Sequence, residues 1–281
     1  MGPLTGRLSL DLRSLALFRM VLGLTLLIDH IWFRWGEALA FYGSEGLLSP
    51  EMFERLVEAD PHRSLQRFSL LHLADSEAWL YAVLTVATVV YLAFLLGWRT
   101  RISGLLSVMT LWTLHARNPY IVEAPDHLLM ALLFWASFAP VDQRWAIRPS
   151  PDPGPGWTAA SSGALQLQVV FLYLFNAYNK SGVTWTEGSA VQVALMEDLW
   201  LRHPTSGWLL DHPGWCELLT YGTVYTEYAI GLLVVAGLAW WGCRAMAVLL
   251  ILGLHWGIFI FLTLGLFPGL CTAAALSLIH I

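Results

Sequence analysis

The chain has 281 residues, of which 57% are hydrophobic and 12% charged, and its mean hydropathy is +0.60. A soluble domain carries about 25% charged residues, so this balance excludes an ordinary globular enzyme and indicates a polytopic membrane protein in contact with a lipid bilayer. The net charge of −5 comes without a basic block or a nucleic-acid motif, so no nucleic-acid partner is indicated.

The 15 tryptophans suit a chain that crosses many membrane–water boundaries. The three cysteines, Cys216, Cys243 and Cys271, are scattered and form no CxxC. The nine histidines make no HxxxH pair, so neither a disulfide framework nor a metal site is indicated.

In chain order, Arg7 and Arg13 precede a first span at about 14–32. It is a full-length span with no small-residue cleavage pattern after it, so it is not a removable signal. Arg19 lies inside it, and Asp29-His30-Ile31-Trp32 ends it. At 100° per residue Arg19 and His30 are about 20° apart around the helix but lie eleven residues apart along it, so they share a face without touching. An arginine in a span is costly unless paired or hydrated.

A long polar segment at 33–78 follows, with a turn at 42–50 and a short amphipathic helix from Glu51 to Glu58. Ser49 is its expected N-cap and Pro50 its first residue. The second span is about 79–97, Arg99-Thr100-Arg101 makes a basic turn, and the third span is about 102–116. Pro125-Asp126-His127 opens a fourth span at about 127–140, with Asp126 as its cap. Residues 149–156 are rich in proline and glycine and read as a flexible loop.

The fifth span, about 163–179, carries Gln166, Tyr173, Asn176 and Lys180 within about 80° of one another. Lys180 is the only lysine in the chain. A polar stripe on a membrane helix faces protein or a wet cavity, because lipid offers no hydrogen-bond partner. A snorkelling lysine with interhelical hydrogen bonds and a functional lysine both satisfy that pattern. Residues 181–214 are a second long segment, with an amphipathic helix from Ser189 to Leu201 and a turn at His203-Pro204.

The sixth span, about 216–240, holds Thr220, Thr223 and Glu227 on one face, and the seventh, about 245–266, holds His255. Phe267-Pro268-Gly269 breaks it, and the remainder at 268–281 reads as a half-helix or as a chain shortened relative to its natural form. The expected fold is therefore an all-α membrane bundle of seven to eight spans, with short amphipathic helices on the non-cytoplasmic side.

The short loops carry Arg99, Arg101, Arg144, Arg148 and Arg244, which predicts a cytoplasmic N-terminus in a bacterial inner membrane. Lys180, Asp126 and His127 then open to the non-cytoplasmic side. A partly buried lysine is available as a base, His127 can exchange a proton near neutral pH, and Asp126 could orient it. Glu227, inside a span, must be neutral, paired or wet, and either Arg19 or Lys180 could pair with it.

FLYLFNAYNKSGVTWTEG at 171–188 resembles the signature of the HTTM (horizontally transferred transmembrane) family, similar to the membrane domain of vitamin K-dependent γ-glutamyl carboxylase. The resemblance extends to DLRSLALFRMVLGL at 11–24, FYGSEGLLSP at 41–50, LGWRTR at 96–101 and ARNP at 116–119. It continues through DHLLMALLFW at 126–135, LTYGTVYTEYAIGLL at 219–233 and HWGIFIFLTLGLFP at 255–268. The resemblance implies that Lys180, placed before Trp185 and Gly188, is the base that deprotonates a reduced naphthoquinone of the vitamin K type. It also implies that His127 assists oxygenation of that quinol, with O2 and CO2 as co-substrates.

The carboxylases that modify proteins have a large extra-membrane region after the last span, and this sequence ends at Ile281. A small acidic or lipidic substrate is therefore expected in preference to a protein one, with a peptide left open. The expected pocket combines Lys180 and His127 with Asn176, Tyr173, Trp185, Glu227, Asp126, Arg19 and His255. Two other functions remain: a non-enzymatic quinone- or lipid-binding component that partners redox proteins, as the DoxX-type proteins do, and a small-solute transporter. No inverted repeat or pair of interrupted helices speaks for transport.

Overall fold

The computed structural model describes residues 8, 10–197 and 204–279. Among them the chain is helical throughout, and its one β-type contact is an isolated bridge between Trp98 and Arg148. Five helices are long and apolar enough to cross a membrane: Leu12–Trp35, Glu77–Leu96, Gly156–Asn179, Pro213–Ala236 and Trp241–Phe261. The molecule is a helical membrane protein by that criterion. Its contacts divide it into two units, one of residues Arg19–Asp152 and one of Met1–Phe18 with Pro153–Ile281.

The first helix, α1 (Leu12–Ile28), belongs to the unit Arg19–Asp152 from Arg19 onward and runs on there as a π-helical segment from Asp29 to Trp35. Short helices α2 (Ala38–Tyr42) and α3 (Pro50–Ala59) follow. The sequence-based start of α3 is correct: Ser49 accepts a hydrogen bond from the Met52 amide, and Pro50 is the first residue.

Helix α4 (Glu77–Leu96) buries Leu80, Val83, Leu84, Ala87, Tyr91 and Phe94, a helical stripe. Its other face exposes Val86, Val89, Leu92 and Leu96, which suits lipid and not water. Gly97 ends α4 in the left-handed conformation, with φ +76°. The Gly97 amide donates to Phe94 and the Trp98 amide to Ala93, the paired bonds of a Schellman cap.

The chain then reverses directly into α5 (Thr100–Arg117). This helix is not among the five long apolar ones, because Arg101, His115 and Arg117 lower its hydropathy; it also buries a stripe of Thr100, Ser103, Ser107, Thr110 and Thr113. The hydroxyls of Ser107 and Thr110 donate to the carbonyls of Ser103 and Leu106 on their own helix, so the stripe leaves few polar groups unsatisfied. Small residues there let helices approach closely, and a Cβ on Gly104 would lie 2.4 Å from the Ser137 hydroxyl.

Helix α6 spans Ala124–Ala136, shorter and earlier than the expected 127–140. Its N-cap is Glu123, not Asp126. Asp126 sits one turn in, where Oδ2 accepts from the Glu123 amide at 2.8 Å.

The other unit is built on α7 (Pro155–Asn179), which begins within the stretch expected to be a flexible loop. Proline at a first helical position has no amide to waste, which lets the proline–glycine run become a helix start. After α7 come α8 (Val183–Thr186), α9 (Ala190–Met196), α10 (Pro204–Leu210) and α11 (Pro213–Ala236). Helices α12 (Trp241–Phe261) and α13 (Phe267–Leu276) complete it.

Gly231 of α11 sits against Leu174 of α7, where a Cβ would come within 2.5 Å of the leucine. The seventh span ends at Phe261, earlier than expected, because the chain extends at Leu262 and turns at Gly265. The Phe267-Pro268 pair opens α13 and does not break a helix there. Arg7, the 198–201 portion of the expected amphipathic helix, and His203 of the expected turn lie outside the described residues.

Candidate functional site at the end of the lysine helix

Helix α7 presents Gln166, Val169, Val170, Tyr173 and Ala177 to protein and ends at Asn179. The polar stripe read from the sequence is therefore the packed face, at least for Gln166 and Tyr173. The Gln166 amide donates to the Leu8 carbonyl at 2.9 Å. The Tyr173 hydroxyl lies 2.9 Å from His255 Nε2, a buried contact between α7 and α12. Phe267 of α13 packs its ring against His255 at 5.0 Å.

Lys180 follows as the cap residue, and its Nζ donates to Glu227 Oε2 of α11 at 2.6 Å. It also reaches the carbonyl of Asn176 at 3.4 Å. The lysine side chain is 18% exposed and the glutamate 6%, so this is a largely desolvated ion pair. Of the two partners the sequence allowed for Glu227, the ion pair forms with Lys180.

After Lys180 the chain folds back through α8 and places the Trp185 ring 5.2 Å from the ammonium, in cation–π range. Gly188 makes that return possible: it is left-handed at φ +76°, and a Cβ there would lie 2.7 Å from Glu217 Cγ. The Tyr221 hydroxyl of α11 donates to the Thr186 carbonyl at 3.0 Å and pins the segment. Lys180, Glu227, Trp185 and the Asn176 carbonyl thus form one local constellation, with Tyr173 and His255 paired on the same helix framework.

The remaining expected site residues belong to the Arg19–Asp152 unit. Arg19 is not a pocket group. Its guanidinium donates to the carbonyls of Leu95, Val141, Arg144 and Trp145 and ties the end of α4 to the loop after α6. His127 is exposed on α6, and its ring has no hydrogen-bond partner among the described residues. Asp126 does not orient it. The Asp126 carboxylate turns to Arg34, which also donates to Asp29 Oδ2 at 2.5 Å and to the Tyr42 hydroxyl at 3.2 Å. His115 Nε2 stands 3.4 Å from Asp126 Oδ1 on the same carboxylate.

All five members of this network are buried. Two carboxylates share one guanidinium, and Tyr42, outside the membrane spans, is pushed above the ordinary phenol range by burial against the opposing pull of Arg34. His30 points elsewhere, with Nε2 3.0 Å from the Leu84 carbonyl and 3.1 Å from Thr88 Oγ1. Sequence reasoning missed Arg34 and His115. The available signal was an acidic residue near the end of the first span, Asp29, followed five positions later by an arginine.

No cluster of three or more metal-ligating side chains occurs among the described residues. Compared with models of protein families, with curated proteins and with solved structures, the chain matches none of them.

Proposed function

We propose that the chain is an HTTM-type membrane enzyme related to the vitamin K-dependent carboxylases, in which Lys180 acts as a base toward a reduced naphthoquinone. The observation that carries this reading is the 2.6 Å hydrogen bond from the chain's only lysine to the buried Glu227. Ammonium–carboxylate and amine–carboxylic acid differ by one proton moved along that bond. Glu227 can thus hold the lysine's proton while Nζ accepts one from a bound hydroxyl. The ammonium lies over one face of Trp185, and an aromatic ring that displaced it or took the other face could stack there. A proton acceptor next to an aromatic ring is compatible with a quinol, whose hydroxyl donates and whose ring stacks.

The chemistry such a group supplies when bound is oxidation by O2 to its epoxide, which yields a base strong enough to remove a proton from a carbon acid before CO2 adds. The chain's own part is to orient the ring on Trp185 and to take the hydroxyl proton at Lys180. In this reading α5 and α6 also cross the bilayer, giving seven spans with α13 as a half-helix, and the N-terminus is cytoplasmic. Lys180 then faces the non-cytoplasmic side of a bacterial inner membrane.

A non-enzymatic quinone-binding component is the second reading. It is favoured by the same ion pair, which leaves Lys180 already satisfied. Mass spectrometry of organic extracts from the purified protein separates the two when combined with a turnover assay. The enzyme reading expects a co-purifying naphthoquinone that is depleted in Lys180→Ala, and O2-dependent consumption of added naphthoquinol that Lys180→Arg abolishes. Retention of quinone without consumption favours the second reading. Full activity of Lys180→Arg sinks the first.

A further inference from the structure

Between α3 and α4, within the Arg19–Asp152 unit, the chain makes two short 3-10 turns, Pro61–Arg67 and Leu70–His72. Phe68 is 74% exposed and Leu73 71%, and Leu65 and Leu70 are exposed beside them. Large apolar side chains gathered on the outside of one short segment mark an interaction surface.

The inner side of the same segment is fastened to α4 and α5. Leu71 is buried in a cluster with Leu80, Val83 and Leu84 of α4 and Leu114 of α5. The Ser69 hydroxyl donates to the Thr113 carbonyl at 2.7 Å. The Trp79 indole donates to the Leu70 carbonyl at 2.8 Å, and the Trp112 indole to the Phe68 carbonyl at 3.1 Å. Trp79 lies in the first turn of membrane-length α4, and Trp112 lies well before the end of α5 at Arg117. Residues 68–71 therefore run alongside these helix ends and not beyond them.

The backbone indicates what covers the outer side. In water a turn carbonyl needs no donor from protein, whereas in an apolar medium each must be satisfied internally. The carbonyls of Leu65, Phe68, Ser69 and Leu70 all accept from protein. Their donors are the Phe68 amide, the Trp112 indole, the His72 amide and, for Leu70, the Leu73 amide with the Trp79 indole. The only formal charge among residues 65–73 is Arg67, which is paired with Glu54 at 2.6 Å. The segment leads into α4, whose exposed face of Val86, Val89 and Leu92 suits lipid.

We infer that residues 65–73 lie in the plane of the bilayer surface, with Leu65, Phe68, Leu70 and Leu73 inserted between headgroups and acyl chains. The occupant of this surface is lipid, and Trp79 and Trp112 supply the amphipathic rings that sit at that depth. Part of the segment that composition reads as polar is in this way membrane-embedded without spanning. The inference does not depend on the Lys180 site.

The test is electron paramagnetic resonance of the nitroxide-labelled full chain in vesicles of phosphatidylcholine and phosphatidylglycerol. Molecular oxygen is the apolar relaxant and a neutral nickel chelate the aqueous one. Cys243→Ala removes the one native thiol that is not buried. Labels are placed at Phe68→Cys and Leu73→Cys, with Val89→Cys on the outer face of α4 as the lipid reference and the exposed Glu58→Cys on α3 as the aqueous one. The labels at 68 and 73 are expected to favour oxygen as the one at 89 does, at a depth of about 5–10 Å into the headgroup–acyl boundary. All four replacements are at exposed side chains, and Leu65→Cys gives an independent reading should one of them fail to fold. Labels that favour the nickel chelate as at 58 would overturn the inference, and so would labels shielded from both reagents, which would mean that protein covers the patch.

Discussion

Asp126 turns its carboxylate to Arg34, 92 positions away in sequence, and not to His127 beside it. With Asp29 on the other side of the same guanidinium, the first helix and α6 are joined through a buried charge network. Burial makes each partner dependent on the others, because an ion left alone there has lost its water and its neutraliser.

Arg34→Leu is therefore expected to destabilise the protein by about 3–5 kcal/mol, since it leaves Asp29 and Asp126 buried without their cation. Thermal unfolding in detergent measures the loss. Adding Asp126→Asn to Arg34→Leu should recover part of it, and a double variant no more stable than the single one would count against a shared network.

The Lys180–Glu227 pair should couple by about 1–2 kcal/mol in a double-mutant cycle of Lys180→Met and Glu227→Gln, read by chemical unfolding. Additive effects would mean that the two side chains do not depend on each other. Tyr173→Phe is expected to leave this coupling intact, because Tyr173 bonds His255 and not the pair.

Two glycines with positive φ, one left-handed and one extended, should respond differently to alanine. At Gly97 a Cβ would stand 2.5 Å from Ala146 Cβ and 2.8 Å from the Arg19 guanidinium. Gly97→Ala adds that clash to the backbone penalty and is expected to cost about 2–3 kcal/mol. Gly154 also has a positive φ, but nothing lies within 4 Å of its missing Cβ. Its ψ of 162° lies in a region that essentially only glycine adopts. Gly154→Ala should therefore cost about 1–3 kcal/mol from the backbone alone and should not respond to shortening of neighbouring side chains. Unfolding midpoints measure both variants.

His72 supplies a pH dependence. It lies outside the membrane spans with its ring 4.3 Å from Phe53, and burial first, then the Arg117 charge, hold its pKa below the ordinary 6.5. A histidine that is harder to protonate when folded contributes stability that is fully present above 6.5. That stability is lost as the pH falls through the depressed folded value. Unfolding midpoints at pH 7.5 and 5.5 should therefore diverge in the wild type and converge in His72→Phe. An equal pH slope in both proteins would contradict this.

Much of the fold is legible in the sequence because it follows from local rules. The Ser49-Pro50 start of α3, the basic reversal at Arg99 and the polar face of α7 all rest on capping, turn chemistry or helical periodicity. The Lys180–Glu227 pair was one of two options, and composition could not choose between them. The partners of Arg19 and Asp126 were not legible. Arg19 is satisfied by carbonyls, which every residue possesses and no motif reveals, and Asp126 by an arginine lying beyond the expected end of the first span. The sequence marks His127 as a site residue through its proton chemistry and the family resemblance, and the structure commits its neighbour Asp126 to Arg34.

The π-helical segment Asp29–Trp35 explains why Arg34 escaped notice. On an α-helix, residues five apart point about 140° away from each other, so Asp29 and Arg34 would diverge. With i to i+5 bonding, the same two residues come onto one face of the helix, where Arg34 Nε donates to Asp29 Oδ2. The wider turn acts as a local change of phase: wheel angles counted from Arg19 hold as far as Ile28 and then fall out of step. Removing one residue from the segment would restore ordinary phase, rotate Arg34 away from its carboxylates and disconnect α6 from the first helix without altering a single charge.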